Sequence, residues 1–211
     1  GRVIGALPRV KARLILETRQ WATRPVTDQS PAPELLATGI SAVHLGDLKL
    51  AQKAANQLEK LAAAASEDTD TSYYSRTGQP LQIMHKEVAG LVAIAKGQTE
   101  TGLALLKEGV AIADSMRPPN GAPNPLKPVH ELYGEALLEA NKLPDAIALF
   151  DASLLRTPLR PLSLLGLARA YVALGNDEAA GSNYRKLAEV WQHRNFPVLE
   201  EATVFLATEG D

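Results

Sequence analysis

One pattern occurs twice in this chain, 34 residues apart, and few folds can accommodate it. In "PLSLLGLARAYVALGNDEAAGSNYRKLAEV", residues 161 to 190, Leu164, Leu167, Ala168 and Tyr171 fall on one helical stripe. Gly175 breaks the helix, because glycine accepts the left-handed cap conformation. A second helix then turns Ala180, Tyr184 and Leu187 inward. Thirty-four residues earlier, His130, Tyr133, Gly134 and Leu137 match the first helix, and Asn141 replaces the turn glycine. Ala146, Phe150 and Ser153 match the second helix, and Pro158 closes the unit. Small side chains recur where two helices cross closely, with large ones around them. Such a helix pair buries its apolar faces only by stacking on further copies.

Two weaker copies lie upstream. "HKEVAGLVAIAKGQTETGLALLKEGVAIAD" carries Ala89, Gly90 and Ala93, then Gly97, then Leu106. "PAPELLATGISAVHLGDLKLAQKAANQLEKL" carries Leu35, Gly39 and Ala42, then Gly46, then Ala51, Ala55 and Leu58. Gly97 to Asn141 is 44 residues, and the excess is the proline-rich loop "RPPNGAPNPL", 117 to 126. Gly46 to Gly97 is 51 residues, with the insertion around "SEDTDTSYYSRTGQP". The reading is a single domain over 1–211, with units at about 31–64, 82–115, 127–158 and 161–194. A leading segment, 1–30, holds a helix over 8–21, and a capping segment, 195–211, holds one over 197–208. About ten helices and no strand are expected.

Composition agrees. Hydrophobic residues make up 45% of the chain and aromatics only 5%. Alanine and leucine, both helix formers, carry most of the apolar content, while strand-favouring residues are scattered singly. A net charge of −2 gives no bulk attraction to nucleic acid or anionic membrane. Cysteine is absent, so thiol chemistry and disulfides are excluded. No apolar run is long enough for a transmembrane helix. The chain starts Gly1-Arg2-Val3 without methionine, which reads as a processed chain or an excised fragment.

The 34-residue helix pair, with small residues at Gly134 and Ala146 and a stop at Pro158, resembles the tetratricopeptide repeat over roughly 31 to 190. The order "LPRVKARLILETRQW", "ATGISAVHLGDLKLAQKAA", "NPLKPVHELYGEALLEANKLPDAIALFDASLLRTPLRPLSLLGLARAYVALGN" is similar to the C-terminal part of long bacterial tetratricopeptide proteins that are often exported. The resemblance implies a right-handed α-solenoid, a missing N-terminal part, and a concave face lined by the first helix of each pair. Residues aligned to that face are Leu36, Ile40 and Val43; Glu87, Leu91 and Ile94; Glu131, Glu135 and Leu138; and Leu165, Arg169 and Val172. Glu135 and Arg169 occupy equivalent places on adjacent repeats and are candidates to pair. The lysines and asparagines that would grip a peptide's terminal carboxylate are missing, so an apolar or basic segment suits this groove better.

His130, Glu131 and Glu135 form the main candidate for chemistry. Glu131 and Glu135 share a helical face, and His130 points about 100° away. A zinc helix of the H-E-x-x-H kind needs histidine at 134, where Gly134 stands. Glu131 suits the first turn of a helix, where the backbone dipole favours negative charge. His130 is read as a packing residue, with no metal, cofactor or catalytic set assigned. Met84-His85 and His44 are likewise read as structural. Tyr73, Tyr74 and Arg76, and Trp21 with Arg19, are read as packing insertions onto the helices, and the acidic run 66–70 as a solvated linker. No phosphate loop, nucleophile elbow or dinucleotide glycine pattern occurs, and no basic–aromatic cluster suggests nucleic acid.

The expected function is a non-catalytic scaffold for a protein or peptide. The alternative is a small-molecule or metal-binding domain around His130, Glu135 and the 117–127 loop. A third arrangement has the groove filled by the chain's own segments or by a second copy.

Overall fold

The computed structural model describes residues 2–66, 78–119, 124–191 and 197–208. Among them are ten helices and no strand: α1 (Arg2–Thr18), α2 (Ala32–His44), α3 (Leu48–Ser66), α4 (Gly78–Ala95), α5 (Thr99–Ser115), α6 (Val129–Glu139), α7 (Leu143–Arg156), α8 (Pro161–Ala173), α9 (Asp177–Val190) and α10 (Pro197–Thr208). The all-α class is as expected, and within each of the chain's two compact units helices pack in adjacent pairs, consistent with an α-solenoid. The acidic residues 67, 68 and 70, with Tyr73, Tyr74 and Arg76, lie outside the described residues. The chain forms two compact units, residues 1–117 with 122–129, and residues 118–121 with 130–211.

All four turn residues marked in the sequence take the left-handed conformation: Gly46, Gly97, Asn141 and Gly175 have φ of 79°, 80°, 55° and 69°. The same two hydrogen bonds close each turn. The turn residue donates to the carbonyl three residues back, as from Gly97 to Ile94 at 2.8 Å, and the next residue donates to the carbonyl five back, as from Gln98 to Ala93 at 2.9 Å. This is the Schellman arrangement, which satisfies carbonyls a helix end would leave orphaned. In two turns the next residue also caps the following helix: Asp47 Oδ1 accepts from Leu50 N–H at 3.0 Å and Asn176 Oδ1 from Ala179 N–H at 3.1 Å.

In unit one, α2 packs on α3 and α4, and α4 on α3 and α5. A Cβ added to Gly39 would lie 2.6 Å from Val88, and one on Gly102 would lie 2.5 Å from the Gly90 carbonyl oxygen. The α4 and α5 backbones therefore touch, which only glycine permits. Ala51, Ala54, Ala55 and Leu58 of α3 are fully buried. Val129 packs with Ile83 and Ala113 in the same unit.

In unit two, the Phe150 ring sits between Gly134 of α6 and Gly166 of α8; a Cβ on either would lie 2.9 Å or 2.2 Å from it. The helix α10 covers the apolar face of α8 and α9. Ala202 joins Leu164, Leu165, Ala168, Tyr184 and Leu187 in one cluster, with Leu199, Phe205 and Leu206 packed alongside. The cap expected at 197–208 is thus a helix over that span, and it covers the end of this stack.

Candidate functional site

Along the first helix of each pair, exposure grows toward the turn. Leu36, Glu87, Glu131 and Leu165 are fully buried, Ile40 is nearly so, and Leu91, Glu135 and Arg169 are half-buried. Val43, Ile94 and Leu138 are half-buried, and Val172 is exposed. The aligned residues therefore do not contribute equally to a surface. The turn-proximal ones can be touched from outside, whereas the first of each set lies in the core.

Glu131 is held by partners that the spacing of one helix does not reveal. Arg160 Nε lies 2.7 Å from Glu131 Oε2, and Arg160 Nη2 donates to Oε1 at 2.9 Å. Ser163 Oγ donates to Oε2 at 2.7 Å, and its contact with Ser153 Oγ measures 2.9 Å. With its one proton directed at the carboxylate, Ser163 accepts from Ser153. Every member is buried. Desolvating a charge this deeply is tolerable only with an opposite charge and filled lone pairs. The cluster thus ties α6, α7 and α8 together rather than facing a ligand.

The guanidinium of Arg169 is clamped by Glu201 of α10. Nε donates to Oε1 at 2.9 Å and Nη2 to Oε2 at 2.6 Å, while Tyr184 O–H donates to Oε1 at 2.6 Å. The hydrogen bond to Glu201 holds the Arg169 pKa above its usual value, and Glu135 adds a weaker attraction. Burial, then the bond to Glu201, pushes the Tyr184 phenol up. Arg169 therefore has its strongest partner on α10, with Glu135 secondary. Beside this clamp a cleft of about 500 Å³ opens among α8, α9 and α10, walled by Val172, Val204, Phe205 and Thr208 and edged by Glu200 and Glu201.

Three histidines fall among the described residues. His130 is only 3% exposed, His44 stacks on Trp21 with ring centroids 4.1 Å apart, and His85 Nδ1 is 3.1 Å from the Ala55 carbonyl. Among the described residues, no three His, Asp or Glu side chains gather as metal ligands would. No helix among them is long and apolar enough to cross a membrane. In the loop, Leu126 and Lys127 are buried, and residues 120–123 lie outside the described residues. No family model, curated protein or solved structure matches this chain.

Proposed function

We propose that the chain is a non-catalytic scaffold of the tetratricopeptide type, taking an apolar or basic segment of a partner protein along the turn-proximal ends of α6 and α8 in unit two. The observation that carries this reading is the cleft beside Arg169. Its walls are mainly apolar, Val204 is 66% exposed, and Glu200 supplies a carboxylate beside the Arg169–Glu201 pair. Glu135 lies on the equivalent helix of the preceding pair, half-buried. Apolar walls supply affinity, and rim charges select the sign of the partner and steer its approach. The repeated turn and the 34-residue spacing from Asn141 to Gly175 support the family assignment. The deep burial of His130 weighs against a metal or small-molecule site centred on it.

The test uses a fluorescent twelve-residue peptide of leucine and lysine and its leucine–glutamate counterpart, read by anisotropy. The lysine peptide binds, and Glu200→Lys weakens it roughly three- to tenfold at an unchanged melting temperature while leaving the glutamate peptide unaffected. Failure of the lysine peptide to bind, or its indifference to Glu200→Lys, overturns the reading.

A further inference from the structure

The leading segment builds a second cleft of opposite character within unit one. After α1 the chain reverses at Arg19, where φ is 56°. Trp21 then stacks on His44, the Ala22 N–H donates to Ser41 Oγ at 3.4 Å, and Arg24 lies 3.6 Å from Glu34. Residues 20–25 therefore run back along α2, from its C-terminal end toward its N-terminal end. Between this strap and α1 lies a cleft of about 510 Å³. Ala37 and Thr38 of α2 line it from below, and Pro8, Ile15 and Pro25 from the sides.

Two further observations define what fits there. The inner face of α1 is already satisfied, with Ala12 and Leu16 each 2% exposed. Leu7, Val10 and Leu14 nevertheless stand 50%, 63% and 59% exposed. Their spacing of three and four residues is that of a stripe that packs on another apolar surface, and Leu14 continues it into the cleft. The second observation is charge. From residue 8 to 24 the chain carries Arg9, Lys11, Arg13, Arg19 and Arg24 against Glu17 alone, in a protein of net charge −2. Lys11 stands on the cleft rim, and Glu34 offsets Arg24.

We infer that this cleft is a second docking site, for a partner segment with apolar side chains at helical spacing and carboxylates flanking them. Such a segment inserts its apolar side chains between α1 and the strap and sets its acids against Lys11 and its basic neighbours. A concave cleft with a helix for a floor admits protruding side chains, whereas a flat bilayer surface meets only the outer stripe. The site lies in unit one and is independent of the cleft proposed in unit two.

The test uses the full chain and a fluorescent fourteen-residue helical peptide with leucines at i, i+3, i+4 and i+7 and glutamate elsewhere, beside a lysine counterpart. The acidic peptide binds, and any binding of the lysine counterpart is indifferent to substitutions in this cleft. Lys11→Glu and Leu14→Asn, both on exposed positions, each weaken the acidic peptide at least about threefold at an unchanged melting temperature, and Glu200→Lys has no effect. Vesicles of phosphatidylglycerol and phosphatidylcholine form a parallel arm. The inference is overturned if the acidic peptide does not bind, if neither substitution matters, if Lys11→Glu weakens the lysine peptide as much, or if the vesicles bind through Leu14 while the acidic peptide does not. Loss of binding on Glu200→Lys would instead place the acidic peptide in the other unit, and also overturns it.

Discussion

In unit one the tightest helix contact is backbone against backbone, with Gly102 facing the Gly90 carbonyl and alanines filling the adjoining face of α3. In unit two Ala146 stands at the register of Gly102, and the Phe150 ring, with a glycine on either side, takes the place that Leu106 holds against Gly90; a buried ionic cluster lies nearby. The turns are alike in both, down to their paired hydrogen bonds. The comparison teaches that the turn and the small-residue register define the helix pair, while the filling of the crossing is negotiable. Backbone contact cannot yield, whereas a ring can shift by a few tenths of an ångström.

The largest expected effect is on the buried ionic cluster of unit two. Arg160→Met leaves the Glu131 carboxylate buried without its cation and costs about 3–5 kcal/mol. Arg169→Met, at a half-exposed pair, costs about 1 kcal/mol or less. Denaturant midpoints of the two variants check this, and similar losses would mean that burial does not separate the pairs. Next come the crossings. Gly134→Leu overpacks against Phe150 and costs about 1–3 kcal/mol. With alanine the units part: Gly102→Ala drives its Cβ into a fixed carbonyl and lowers the melting temperature more than Gly134→Ala, where the ring moves aside. Equal melting temperatures would erase the distinction drawn between the two crossings. The smallest effect tests the likeness of the turns. Gly97→Ala costs about 1 kcal/mol because alanine resists positive φ, whereas Asn141→Gly stays within about 0.5 kcal/mol of the parent because asparagine already tolerates that conformation. A neutral Gly97→Ala would break the equivalence.

The sequence was most legible where local chemistry dictates geometry. Gly46, Gly97, Asn141 and Gly175 could be read as turns because few residues accept positive φ, and Gly134 could be placed at a crossing because the apolar stripe surrounds it. Helical periodicity reports neighbours three or four residues away, so it assigned Glu131 and Glu135 to one face. It carried no sign of Arg160 and Ser163, about thirty residues on, which draw Glu131 into the core. Glu201 escaped for the same reason: its bond to Arg169 depends on how α10 lies over α8. The strap at 20–25 has no periodicity, so its cleft with α1 left no mark in the pattern.

The place of Phe150 has a consequence for how the molecule comes apart. In a stack of helices each interface ordinarily stands or falls with its nearest neighbours. Here one ring of α7 serves two interfaces at once, so a displacement of α7 loosens its packing on both α6 and α8. We expect these three helices to exchange their amide hydrogens as one cooperative block, which hydrogen exchange on the intact chain checks.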